Sequence, residues 1–204
     1  MAIHLIRHGQ AITGTDDLDP GLADTGHEQA RLTAEHLAQR GGIGRLVVSP
    51  LRRTRETAEP IAKQLALEPE IRREVAEVFD PSMPVEERRN MIGPFMAGSW
   101  SEQNGTLRGW RQRVVETLLE IAHDAAQRGT DGVIVSHYIA IGVAIGEALG
   151  DDRVVPTPIA NGSITTVEVA HDKFSLVETA QTSHLPPDLV TGLSQAMAGG
   201  PPPA

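Results

Sequence analysis

The chain contains no cysteine. Disulfides, thiolate nucleophiles and Cys-ligated zinc or iron–sulfur sites are therefore excluded. Basic residues are outnumbered, 18 against 27 acidic ones, which leaves a formal net charge of −9. Such a chain is a poor general binder of nucleic acid or of an anionic membrane. Any anion site must be a local cluster of cations set against the global field. Long apolar runs are also missing. The longest, around Tyr138 to Leu149, is too short to span a bilayer and contains Glu147. Met1 to Gly9 carry no basic segment followed by the apolar core and cleavage site of a secretory signal. A soluble cytoplasmic protein is expected, with no nucleic-acid or membrane partner.

What is present suits one domain: 204 residues, 40 % of them hydrophobic, enough for a two-sided core. Ala2 to Ile6 reads as a buried strand, because Ile3, Leu5 and Ile6 leave little alternation. Residues 11–23 form a loop, and Asp24 or Thr25 can cap the helix that follows. That helix ends at Gly41-Gly42, a second strand runs from Gly44 to Val48, and Ser49-Pro50 matches a cap followed by a first-turn proline. The next helix turns Ala58, Ile61, Ala62 and Leu65 inward. A weak third strand is expected within Glu70 to Val78. Prolines and glycines scattered among Met83, Met91, Phe95, Met96 and Trp100 predict an irregular excursion over 80–106 that walls a pocket, with one short helix near 84–92. A helix from about Leu107, a strand from Gly132 to Ser136, a small-residue helix to Gly150 and two alternating strands after Asn161-Gly162 complete the pattern.

Strands alternating with helices predict a three-layer α/β/α sandwich with a mostly parallel central sheet. The domain is expected to span 1–184. Residues 185–204, rich in proline and glycine, read as a disordered and dispensable tail.

Three of the strands end in polar side chains: Arg7-His8, then Ser49 with Arg52-Arg53, then Ser136-His137. In open α/β sheets, ligands sit beyond the carboxyl ends of the strands. If these strands are parallel neighbours, two histidines and two or three arginines meet at one edge. Arginine offers a planar, forked cation to phosphate oxygens, and histidine a nitrogen that is an uncharged nucleophile near neutral pH. The combination points to phosphoryl transfer. Of Arg52, Arg53 and Arg55, helical geometry lets only one or two face the site. His4 and His8, on one strand, stand roughly 13 Å apart and cannot share a metal ion. His27, His36, His123, His171 and His184 fall on helix surfaces, turns or the tail and read as solvated.

The same residues carry a family likeness. Arg7-His8-Gly9 closes the first strand, and Leu22-Ala23-Asp24-Thr25-Gly26-His27-Glu28-Gln29-Ala30 follows the pattern L-x-x-x-G-x-x-Q-A. Ser49 to Ala58 follows S-x-L-x-R-A/T-x-x-T-A, Val133 to His137 is similar to a late V-x-S-H strand end, and Asn161-Gly162-Ser163-Ile164 comes after. In this order the motifs resemble those of the histidine phosphatase superfamily, which includes the phosphoglycerate mutases.

The resemblance implies a phosphoglycerate mutase-like fold and a reaction that uses no metal and no cofactor. It implies that His8 is the nucleophile and becomes phosphorylated, that Arg7 and Arg53 hold the phosphoryl oxygens, and that His137 stabilises charge on the transferring group. Family members often carry a proton-donating Glu soon after the third strand, in a pattern like L-x-E. Val75-Ala76-Glu77 resembles it and makes Glu77 the choice, with Glu74 and Glu87 as alternatives. The usual glycine-rich continuation is replaced by Val78-Phe79-Asp80-Pro81-Ser82. Gln10 stands where many members have Glu, Gly14 where many have Asn, and Tyr138-Ile139 where small residues follow the second histidine.

The expected function is a metal-independent phosphatase acting through phosphohistidine at His8, with water as acceptor. The segment from Arg53 to His137 looks shorter than in the mutases, which favours hydrolysis. The alternatives are a phosphoglycerate mutase-type phosphotransferase and a catalytically silent phospho-ligand-binding protein. The substrate is a phosphorylated small molecule or a phosphoprotein. The sequence names neither the metabolite nor the oligomeric state.

Overall fold

A computed structural model describes residues 1–14, 17–79, 82, 83 and 85–193. Among these, β1 (Ala2–Arg7), β2 (Ile43–Val48), β3 (Pro69–Ile71) and β4 (Asp131–Ser136) run parallel, while β5 (Ile164–Ala170) and β6 (Lys173–Gln181) add an antiparallel hairpin. The strand order is β3-β2-β4-β1-β5-β6.

Alternation along the central strands builds two cores. Ile3 and Leu5 of β1, Val47 of β2 and Ile134 of β4 face one side, where they meet α4 (Gly105–Arg128) and α5 (Tyr138–Leu149). Ile6, Leu46, Val48, Val133 and Val135 face the other, against α1 (Asp24–Arg40) and α2 (Arg52–Leu65). Each fully buried Ile or Leu contributes about 1.5–3 kcal/mol. A one-residue slip of β1 would exchange the two faces of the strand, so the register is strongly specified. The three-layer α/β/α sandwich with its mostly parallel sheet is as the sequence pattern predicts.

Several local expectations are corrected. The excursion over 80–106 holds a longer helix than expected, α3 (Val85–Ala97), which runs through Pro94. Residues 80, 81 and 84 lie outside the described residues. Trp100 lines a surface cavity with Ser101, Arg108 and Arg111, and Phe79, Phe95 and Trp100 also belong to the core. They pack edge to face at 5.2 and 5.6 Å, and Trp100 stacks on Trp110 at 5.9 Å, which extends the α4 and α5 core. At α1 the cap position is Ala23, without a side-chain cap from Asp24 or Thr25. Residues 185–193 do not begin as a disordered tail. Leu185 is buried, Pro187–Leu189 forms a short 3-10 helix, and Gln29 and Arg7 bond to the backbone beyond. Residues 194–204 lie outside the described residues. His184 is half-buried and stacks on His36 at 5.1 Å, so it is not the solvated residue expected.

Candidate active site

The site forms where β1, β4 and β2 end side by side. Arg7 is level with Ser136, and Val48 with Val135. The backbone N–H of His8 donates to Ser136 O at 3.1 Å and that of Ser49 to Val135 O at 3.1 Å, so the ladder holds the next residues in place.

His8 is buried. Its Nδ1 lies 2.8 Å from Gly9 O. A carbonyl only accepts, so Nδ1 carries the proton and Nε2 is left with its lone pair. Nε2 accepts from Arg53 Nε at 3.2 Å. Burial, then Arg53 and Arg7, push the His8 pKa well below its ordinary 6.5, against the weaker pull of the Gly9 carbonyl. The ring is neutral at physiological pH. A Cβ on Gly9 would sit 2.4 Å from Gly26 O, so the motif glycine is required by the backbone of α1.

His137 occupies the cap position of α5, yet its ring makes no cap bond. Its Nε2 lies 2.7 Å from Ser49 Oγ and its Nδ1 3.3 Å from Arg53 Nη2. The His8 and His137 ring centroids are 5.2 Å apart. Burial, then Arg53, His8 and Arg7, depress its pKa well below 6.5. Arg53 therefore touches both rings. Arg52 is exposed and paired with Glu56 at 2.7 Å, and Arg55 is exposed, so α2 turns only Arg53 of the three inward. The Ser49-Pro50 cap expected from sequence is supplied instead by Asp19, whose carboxylate accepts from Arg52 N at 3.0 Å. Its Oδ1 also lies 3.7 Å from Arg53 Nη1.

Arg7 is buried beneath the site, its guanidinium 4.8 Å from the centroid of the Tyr138 ring. Nη1 donates to Ile159 O at 2.5 Å and to Gly192 O at 3.1 Å. Burial brings its pKa down to about 10, so it remains a cation. Glu77 is partly buried and accepts from Val78 N at 2.9 Å and from the backbone of Ile139 in the first turn of α5. Burial raises its pKa above the ordinary 4.5, against the pull of Val78 N–H, Arg53, Ile139 N–H and Arg7. Glu74 is exposed and paired with Arg72, and Glu87 is exposed. Glu77 alone of the three is electrostatically coupled to both arginines.

Four buried polar residues, of which only Ser49 was placed at the strand ends by sequence, have supporting roles that the sequence reading did not assign. Ser49 holds His137, and Thr57 Oγ1 accepts from Gly9 N at 3.0 Å. Gln29 Oε1 accepts from Gln10 N at 2.7 Å, and Asn161 Nδ2 donates to His8 O at 3.0 Å. Periodicity held a signal for two of them: Gln29 shares the inward face of Ala30, Thr33, Ala34 and Leu37, and Thr57 adjoins Ala58. Among the described residues, no group of three or more His, Asp or Glu side chains is arranged to hold a metal ion. Among them, too, no helix is long and apolar enough to cross a membrane.

A sequence profile of the histidine phosphatase superfamily (branch 1) matches residues 3–182. The chain belongs to that superfamily. It is an enzyme of the histidine phosphatase type, and similar chains include mutases as well as phosphatases. A probable phosphoglycerate mutase GpmB of Photorhabdus laumondii is 31 % identical over 181 residues, spanning 74 % of this chain and 75 % of the relative. An uncharacterized phosphatase PhoE of Bacillus subtilis is 27 % identical over 194 residues, spanning 90 % of this chain and 96 % of the relative. Among solved structures, the phosphoserine phosphatase of Entamoeba histolytica, in complex with 3-phosphoglyceric acid, superposes with a TM-score of 0.69. That match has 23 % identity and covers 90 % of this chain and 98 % of the other, which establishes the fold.

Proposed function

We propose that this protein hydrolyses phosphomonoesters through a phosphohistidine intermediate on His8, with water as the final acceptor. The observation that carries the reading is the Gly9 carbonyl on His8 Nδ1, which keeps the Nε2 lone pair beside the Arg53 guanidinium.

In the first step His8 Nε2 attacks phosphorus and the P–O ester bond breaks. The leaving alkoxide takes a proton from the acid form of Glu77, whose pKa burial raises. Charge on the equatorial oxygens is met by Arg7, Arg53 and His137, so the reaction uses no metal and no cofactor. In the second step water attacks phosphorus, the P–N bond breaks, and the Glu77 carboxylate takes the proton from water. His8 returns to its neutral state and inorganic phosphate leaves. The substrate is a phosphorylated small molecule or a phosphoprotein, turned over in the cytoplasm.

The test is brief exposure to a chromogenic phosphomonoester carrying radiolabelled phosphorus, followed by quenching. Label that is stable to alkali, labile to acid and lost in His8→Ala supports the reading; turnover without any such label overturns it. The identity to a probable phosphoglycerate mutase favours a second reading, phosphotransfer between sugar-acid positions. Dependence of turnover on 2,3-bisphosphoglycerate would decide for that one.

A further inference from the structure

Arg7 is held from behind by a segment that lies beyond the superfamily match, which ends at residue 182. A buried guanidinium needs acceptors for its N–H groups. Among the acceptors of Nη1 are the carbonyls of Ile159 and Gly192, which set the direction of the fork. Gly192 has φ +81, and a Cβ there would sit 2.2 Å from Asn161 Oδ1 and 2.8 Å from Arg7 Nη1. Only glycine brings that carbonyl to that spot.

The segment is itself tied to the nucleophile loop on two sides. Gln29, wholly buried, donates through Nε2 to Leu189 O at 2.7 Å and Thr191 Oγ1 at 2.9 Å, while its Oε1 holds Gln10 N. Asn161 donates its backbone N–H to Thr191 O at 2.9 Å and its side-chain Nδ2 to His8 O, and its Oδ1 accepts from Thr191 Oγ1 at 3.3 Å. The ring of bonds runs from Gln10 through Gln29, Thr191 and Asn161 back to His8, with Gly192 reaching Arg7.

We infer that Leu189–Gly192 is a positioning element for the oxyanion site, acting through Arg7. Gln29 and Asn161 transmit its position to the N–H of Gln10 and the carbonyl of His8. The inference rests on the reading of Arg7 as a phosphoryl ligand, and it predicts a coupling that a merely structural strap would lack.

The experiment measures orthovanadate affinity of the full chain by calorimetry, well below the unfolding midpoint. Gly192→Ala and Thr191→Val are made in the wild-type background and again with Arg7→Ala. The expected result is roughly tenfold weaker vanadate binding by each variant in the wild-type background, with little or no further loss when Arg7 is already absent. Thr191→Ser is expected to recover most of the affinity lost in Thr191→Val. Unchanged affinity in the folded variants overturns the inference, as does an equal loss in the Arg7→Ala background. If Gly192→Ala does not fold, the Thr191 pair carries the same test. A wild-type protein that fails to bind vanadate overturns the reading of Arg7 and the inference with it. One that binds vanadate, responds to the variants and never forms phosphohistidine overturns only the proposed hydrolysis.

Discussion

The hydroxyl of Ser49 lies 2.7 Å from Nε2 of His137. With Arg53 Nη2 directed at Nδ1, the Nε2–H of His137 donates to Ser49 Oγ. Donation from Nδ1 to a phosphoryl group requires the other tautomer, with the ring proton moved from Nε2 to Nδ1, and the same hydroxyl can then rotate to donate to Nε2. Ser49→Ala leaves a buried ring nitrogen without its partner. We expect kcat/KM to fall by about tenfold or more, with stability lower by about 1–3 kcal/mol in urea unfolding. An unchanged rate would mean that Ser49 does not set the state of His137.

Arg53 touches two rings through separate nitrogens, Nε on His8 and Nη2 on His137. Lysine offers one compact charge and cannot make both contacts. Arg53→Lys is expected to lower kcat by about 10²–10³, read in steady-state turnover of p-nitrophenyl phosphate. A loss under threefold would remove Arg53 from the charge-stabilising set.

The pH profile follows from two opposite shifts. In the proposed mechanism His8 must be unprotonated, and its pKa is depressed, so activity falls on acidification only well below 6.5. Glu77 must be protonated in the first step, and its pKa is raised from 4.5, so activity falls as pH climbs through that raised value. Glu77→Gln is expected to abolish the alkaline limb. It should slow an alkyl phosphate by about 10²–10⁴ and p-nitrophenyl phosphate far less, because only the poor leaving group needs the proton. Equal slowing of both esters would argue for another donor.

Stability carries its own acid dependence. His184 is brought down to about 4 by burial, then by His36, so the unfolded chain takes up its proton first as pH falls through 6.5. Its contribution is complete above 6.5 and is lost progressively on the way to about 4. The depressed pKa values of His8 and His137 act in the same direction. Urea midpoints taken across that window should drop with pH, and His184→Gln should flatten part of the slope. A slope identical to wild type would exclude His184 as a contributor.

Two glycines, Gly9 and Gly26, let α1 approach the loop that follows β1. A Cβ on Gly26 would lie 2.2 Å from Gln10 O, against backbone that cannot swing away. Gly26→Ala is expected to displace the loop, costing about 1–3 kcal/mol in stability and most of the phosphohistidine formed in a quenched assay. Normal labelling would mean the loop tolerates the shift.

Much of this protein is legible in the chain itself. The two faces of β1, β2 and β4 follow from local alternation, and the strand–helix rhythm brings Arg7, His8, Arg53 and His137 to one edge because parallel strands end together. Local patterns left other questions open. Arg52, Arg53 and Arg55 are equivalent by composition, and only the start of α2 at Arg52, against the Asp19 carboxylate, turns Arg53 inward. Trp100 and Phe95 are core because they pack into one cluster with side chains of α4 and α5. The segment after Leu185 reads as tail by its prolines and glycines, yet Gln29, Asn161 and Arg7 bind its carbonyls. Single polar contacts between segments far apart in the chain leave no periodicity in the sequence, so only the folded chain decides them.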